Sequence, residues 1–356
     1  MRRRQLLASL GAAGTLAIAG CSAASDSPST TTTDTTTTTT KPGHDGVYVP
    51  SETAPMEMIG MQKAGRLVVS LSYTHPHEFF VVTGTRTSKT TVQSADTMHL
   101  MAMVHDAKTG AVAPQVEPTI TVSKDGTKVV SNQPWPMLSQ PMGFHFGDNV
   151  TASGAATYQF DVSVNAAKSV LPADLADVFT EQTVTFETEF DPAAAGDIEH
   201  GETGDEGSTE GALAPMDMGK TSIPQQPAYD NLPVETTDPQ YTDDLGVAVA
   251  AHDAPPDLGF DDGENALIAA TQTRYNRYLA GFMGVTATVT RDGTEVFSGD
   301  LSSAVDGDLG HYYGAGTPPL ESGDDVELEF TTPPQGARHV GYETAFLDLE
   351  PQTFTL

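Results

Sequence analysis

The densest run of chemistry-bearing side chains in this sequence is Met98-His99-Leu100-Met101-Ala102-Met103-Val104-His105-Asp106. On a β-strand, side chains alternate between faces, so His99, Met101, Met103 and His105 share one face while Leu100, Ala102 and Val104 share the other. The small apolar face suits a core. The opposite face presents imidazoles and thioethers, soft donors suited to a transition-metal ion. A second cluster, Trp135-Pro136-Met137-Leu138-Ser139-Gln140-Pro141-Met142-Gly143-Phe144-His145-Phe146-Gly147, sits in a loop bounded by Pro and Gly, the kind of segment that often carries function. Nitrogen plus thioether sulfur without thiolate points to copper, Cu(I) in particular, and away from zinc fingers, iron–sulfur clusters and blue-copper sites. A single Met is ordinary core filler and a single His an ordinary hydrogen-bonded group; strand and loop together favour metal. Thr74-His75-Pro76-His77-Glu78 carries less weight, because histidines flanking a proline are common in turns; His75 and His77 enter as outer or alternative ligands. Met58 in Met56-Glu57-Met58-Ile59-Gly60-Met61 reads as core. The sequence contains no G-x-S-x-G elbow, P-loop or H-E-x-x-H motif, and the expectation is a binding protein, not an enzyme.

The elements that must hold these donors are strands. LVVSLSY at 67–73, HEFFVVTG at 77–84, TYQFDVSV at 157–164, TVTFETEF at 183–190 and VELEF at 326–330 are short and alternating, as in β-sandwiches. Only LPADLADVF at 171–179 reads as helical. Gly 33 and Pro 24 favour many turns. The expected fold is all-β: two tandem immunoglobulin-like β-sandwich domains. TITVSKDGTKVVS at 119–131 and TATVTRDGTEVFS at 286–298 are the same hairpin with the same Asp-Gly turn. Gly143-Phe144-His145-Phe146-Gly147 follows the first copy and Gly310-His311-Tyr312-Tyr313-Gly314 the second, with the histidine 19 and 18 residues after the turn glycine. Ala54-Pro55-Met56-Glu57-Met58 and Ala214-Pro215-Met216-Asp217-Met218 open the two copies. Such a long period indicates domain duplication, not a solenoid.

The expected boundaries are a signal peptide at 1–20, a Thr-rich stalk at 21–45, a metal-binding domain at 46–191, an acidic linker at 192–213 and a second domain at 214–356. MRRRQLLASLGAAGTLAIAG has a basic start, an apolar run and small residues before Cys21, the pattern of an exported protein. Arg-Arg with Gln-Leu-Leu resembles the twin-arginine signal, and Ile18-Ala19-Gly20-Cys21 resembles a lipobox. Cys21 would then be the lipidated first residue, anchoring the protein to the outer face of the cell membrane. Residues 196–213 carry six acids and no Lys or Arg, and read as a solvated linker.

With Asp+Glu 48 against Lys+Arg 17, the formal charge is −31. That nearly rules out nucleic acid, whose phosphates need clustered basic residues, and fits a salt-adapted, halophilic protein. Residues 46–189 hold 14 acids and 8 bases, net −6, whereas residues 216–356 hold 24 acids and 5 bases, net −19.

His99-Leu-Met-Ala-Met-Val-His105, then Pro136-Met137, then His145-Phe146-Gly147, resembles the periplasmic iron-transport lipoprotein family. These are immunoglobulin-like β-sandwich proteins that bind copper and support ferrous iron uptake. The resemblance implies His99, Met137 and His145 as ligands, with Met101 where the family often has Glu. The family's Thr-Tyr-His strand stands here as Thr157-Tyr158-Gln159, so Gln159 replaces an imidazole, and a longer Met-to-His interval leaves Met142 as a competing ligand. Replacing carboxylate and imidazole by thioether and amide shifts the expected preference from Cu(II) or Fe(II) toward Cu(I). In the second copy, Ala266-Leu267-Ile268-Ala269-Ala270 aligns with the His/Met strand and only His311 remains, read as a structural hydrogen-bonding residue. Pro333-Pro334-Gln335-Gly336-Ala337-Arg338-His339 is similar to the family's Pro-Pro and His-bearing loop, which leaves open a divergent site at His311 and His339. The resemblance implies capture of copper and/or Fe(II) and delivery to an iron permease or other membrane transport component. Family members associate as dimers, which the two repeats could mimic as a pseudo-dimer. The alternatives are a cell-surface protein-interaction module without metal and, third, a copper-dependent ferrous oxidase, disfavoured by the absence of an electron-transfer Cys.

Overall fold

The period-2 segments form strands because each buries one apolar row. Ile120 and Val122, then Tyr158, Phe160, Val162 and Val164, then Val184 and Phe186 turn inward, with polar neighbours between them turned out. The computed structural model describes residues 45–53, 55–219 and 222–356. The signal peptide, Cys21 and the Thr tract lie outside the described residues. In chain order the first half holds β1 (Glu52–Thr53), β2 (Glu57–Ala64), β3 (Leu67–Thr74), β4 (Phe79–Thr83), β5 (Arg86–Thr90), β6 (Met98–Asp106), β7 (Thr119–Lys124), β8 (Thr127–Asn132), β9 (Trp135–Ser139), β10 (Gly143–Val150), β11 (Ala156–Val164) and β12 (Gln182–Phe190). Then come β13 (Gly201–Glu202), β14 (Gln240–Thr242), β15 (Leu245–His252), β16 (Asn265–Thr273), β17 (Gly284–Arg291), β18 (Thr294–Asp306), β19 (Gly310–Thr317), β20 (Asp325–Thr332), β21 (Gly336–Arg338) and β22 (Gln352–Thr355). The α-helix Ala173–Ala176 falls within the expected helical segment.

The fold is all-β, with tandem β-sandwiches. In the first half, a sheet ordered β12-β11-β7-β8 faces one containing β2-β3-β6-β10-β9; Leu71, Leu100, Phe144 and Phe146 of the latter join Phe160 and Phe186 in one core. In the second half the order is β14-β15-β16-β19-β18-β17-β20-β22, the same sequence of roles. Here β18 runs 13 residues and serves both sheets, pairing with β17 over 294–301 and with β19 over 302–306. In the first half that role is divided between β8 and β9, interrupted at Gln133-Pro134, where proline cannot continue a ladder. Both hairpin turns place two residues at positive φ, Asp125 (47°) with Gly126 (77°) and Asp292 (49°) with Gly293 (76°), as a type I′ turn requires.

Two features depart from the sequence reading. Residues 196–213 do not run free: β13 pairs with β1, Val49 N donates to Thr209 O, and Gly211 N donates to Val47 O. The acidic composition offers no core, but the backbone finds partners along the entry strand. Second, β21 leaves its own half and inserts into the first half's sheet, parallel to β9 and antiparallel to β4. That sheet therefore reads β2-β3-β6-β10-β9-β21-β4-β5. All described residues belong to one compact unit.

Candidate metal centre

Strand register brings the donors together. Gly147 lies opposite Met101, Asn149 opposite His99, and His145 opposite Met137. Opposed residues of antiparallel strands share a face, so His99, Met101, Met137 and His145 all lie on the face turned away from the sandwich core. Alternation predicted that face; its burial was not predicted. These four side chains are at most 2% exposed. The cover comes from His77, in the turn before β4, and from His339, immediately after β21, whose N–H donates to Leu138 O at 3.1 Å.

His77, His99 and His339 can each offer a ligand atom, all within 4.8 Å of one another. The His145 ring lies 5.2 Å from that of His339. Gly147 makes the room: a Cβ there would meet His99 Nε2 at 2.8 Å, Met137 Sδ at 3.1 Å and Met101 Cγ at 3.4 Å. Three candidate donor side chains thus close on the small space above one glycine.

Hydrogen-bond partners assign the tautomers. Carbonyl oxygens only accept, so His145 Nδ1 donates to Gly143 O at 3.0 Å, His77 Nδ1 donates to His75 O at 3.1 Å, and His99 Nδ1 donates to Asn149 Oδ1 at 2.9 Å. His77 Nε2 is left with a lone pair, which accepts from His339 Nδ1 at 3.0 Å. The Nε2 atoms of His99, His145 and His339 are buried without any hydrogen-bond partner. An orphaned buried polar atom costs about 1–3 kcal/mol; two of these histidines, His99 and His339, belong to the trio whose ligand atoms lie within 4.8 Å of one another, and an ion there would satisfy them. Burial holds His77 and His145 down at about 4. Burial again, reinforced by neighbouring imidazoles, holds His99 and His339 well below the usual imidazole range. All four are therefore neutral at physiological pH, the form that ligates metal. A cleft of about 610 Å³ lined by Met56, Met101, Met142, His77 and His339 connects the cluster to the surface.

The other sequence candidates divide. Met142 lines that cleft, as does His75. Met103 is buried opposite Ser70, further along β6. His105 does not reach the cluster: it lies opposite Val68, beside the charges of Asp106 and Lys63, and six residues of strand from His99 is about 20 Å. Gln159 is also excluded. It lies opposite Glu187 and Ser123 on the outward face of the other sheet and hydrogen-bonds Asp161 at 2.8 Å. The further imidazoles of the cluster come from His77 and His339. His339 does not pair with His311, so the open second site at those two residues is not formed.

The second half shows what the same cradle becomes without donors. Phe146 faces Ala102 and Tyr313 faces Ala269, so the position of His145 is taken by Tyr312, not by His311. His311 is therefore not the surviving counterpart of His145: the one-residue difference between the 19- and 18-residue intervals means the opposite face on a strand. His311 sits opposite Val305 and its Nε2 meets Ser303 Oγ at 3.1 Å, the structural role expected of it. Ala266 and Ile268 replace His99 and Met101 and pack with Phe260 and Tyr312. A Cβ on Gly314, the counterpart of Gly147, would meet Phe260 Cζ at 3.0 Å; a phenyl ring fills the space that donors surround in the first half.

A sequence family described as a domain of unknown function, DUF7350, matches residues 230–355, within the second half. No curated protein matches. Among solved structures, FetP of uropathogenic Escherichia coli strain F11, recombinantly expressed in the periplasm of E. coli, is 15% identical with a TM-score of 0.28, covering 38% of this chain and 96% of its own. A copper-bound variant of Campylobacter jejuni P19 is 15% identical with a TM-score of 0.31, covering 38% of this chain and 98% of its own.

Proposed function

We propose that this chain is an extracytoplasmic metal carrier that captures copper, or ferrous iron, at the cluster of His77, His99, His145, His339 and Met137, and hands it to a membrane permease. The reading rests on one observation: His77, His99 and His339 offer ligand atoms within 4.8 Å of one another, and over Gly147 the unpartnered His99 Nε2 lies beside the Met137 thioether. Imidazole and thioether together suit Cu(I), and the imidazoles alone suit Cu(II) or Fe(II). The amide-for-imidazole exchange that pointed to Cu(I) does not apply, since Gln159 is remote. Ligands that are already neutral bind and release the ion without exchanging protons, which suits a carrier, and the cleft supplies a path in and out. The lipobox-like Cys21 and the twin-arginine-like start support anchoring on the outer face of the cell membrane; the permease is the partner such a carrier needs. No reacting pair of acid and base is part of this scheme, so the protein acts by binding. The test is metal content of the purified chain after exposure to copper or Fe(II), with and without reductant. One tightly bound ion is expected, and absence of copper and iron under both conditions overturns the reading.

A further inference from the structure

At the outer end of the cleft, the His75 ring lies 3.9 Å from that of His200, a residue of the linker that no sequence motif singled out. Each ring has its Nδ1 engaged or facing a partner. Thr74 Oγ1 donates to Pro55 O at 2.7 Å, so at 3.3 Å from His75 Nδ1 it acts as acceptor and leaves His75 Nε2 bare. His200 Nδ1 faces the Glu52 carboxylate at 3.6 Å, the carboxylate–imidazole arrangement that commonly supports metal-ligating histidine, and its Nε2 is likewise left for a ligand. Glu52, His75 and His200 all line the cleft that ends at His339. The pairing of Glu52 with Glu202 fixes the linker beside the entry strand, which holds His200 in place. From His75 the next ring inward is His77 at 5.8 Å, and from His77 the cluster follows, His99 at 4.2 Å and His339 at 4.8 Å.

We propose that His75 and His200 form an outer station that binds a divalent copper ion at the cleft mouth, from which the ion passes by way of His77 to the buried cluster. Binding at the station stands by itself; its role in loading rests on the proposed function of the inner site. The two sites differ in kind. The outer ligands are half-exposed imidazoles backed by a carboxylate and completed by water, a weaker and faster-exchanging set suited to Cu(II); the inner set is dry and includes sulfur.

The experiment titrates the full chain with Cu(II) in molar KCl, which suppresses loose binding to surface carboxylates, and follows pulsed electron paramagnetic resonance for imidazole nitrogen coupling. Two equivalents are expected, the weaker showing two imidazoles. His200→Ala, and independently His75→Gln, should remove the weaker equivalent, keep the tight one and slow its loading by about tenfold or more at limiting copper. The double change His99→Ala with His145→Ala should remove the tight equivalent and keep the weaker. Loss of tight binding in the wild type with the weaker equivalent intact would overturn the proposed function while supporting the station. A second equivalent without nitrogen coupling, or one unaffected by His200→Ala, would overturn the station.

Discussion

Asn149 governs how two of the imidazoles are presented. Its Oδ1 accepts from His99 Nδ1 at 2.9 Å and its Nδ2 donates to His77 O at 2.9 Å, so one side chain fixes a tautomer and a turn. Asn149→Ala should weaken metal binding by about 10- to 100-fold with the fold retained, read by competition with a chelator; unchanged affinity would remove Asn149 from the account. In the metal-free protein, burial pushes His77 and His145 down to about 4, below the ordinary 6.5. As pH falls, the unfolded chain therefore takes up protons first. Stability present above the ordinary value declines toward the folded one, by about 3 kcal/mol for each residue when complete. Denaturant midpoints measured from neutral pH down to about 4.5 should fall, and fall less steeply in His145→Gln, which isolates the imidazole from the general charge effect. Equal slopes in both proteins would contradict the assignment. At this scale the sequence was informative where donors share a strand face: His99, Met101, Met137 and His145 follow from alternation and from the family resemblance. His77 was undervalued because its Pro-flanked turn looks generic. Gln159, in the same half, stands in the sequence reading where the family has its third imidazole, because nothing local to His339 shows that it travels to the other half.

The element that makes the site composite is β21, only three residues long. Gln140 clamps the backbone that follows it: fully buried, its Nε2 donates to Tyr48 O at 2.7 Å and Gly341 O at 3.1 Å, while its Oε1 accepts from Leu213 N at 2.8 Å. Entry strand, linker and the segment after His339 thus meet on one amide. Gln140→Ala strands these groups and should cost about 1–3 kcal/mol, with a parallel loss of metal affinity through His339; a stability loss with affinity intact would show that β21 is held by pairing alone. In the second half, Phe260 fills the space over Gly314, and Phe260→Ala should cost about 3–5 kcal/mol by leaving a cavity without creating a metal site. The hairpins were legible from their Asp-Gly turns, and β6 from its alternation. The mismatch of His145 with His311 arose because motif similarity tolerates a one-residue offset that a pleated strand does not.

For the whole molecule, the −31 charge and the interleaved halves pull in different directions. Self-repulsion destabilises the compact state unless salt screens it, so the unfolding temperature should rise steadily with KCl; a flat response would argue against salt adaptation. The interleaving holds the halves together: β21 fills the gap between β9 and β4. Residues 46–213 expressed alone should bind metal poorly and associate through the opened strand edges. Duplication and strand class were readable from the repeated hairpin. The exchange of β21 was not, since three residues carry no pattern of their own and only tertiary pairing places them. The central claim is that donors from both halves bind one ion, and Cu(I) competition on the wild type and His339→Ala tests it most directly. One tight equivalent in the wild type, weakened by about 100-fold or more in the variant, is the predicted result; equal affinity in both would contradict it.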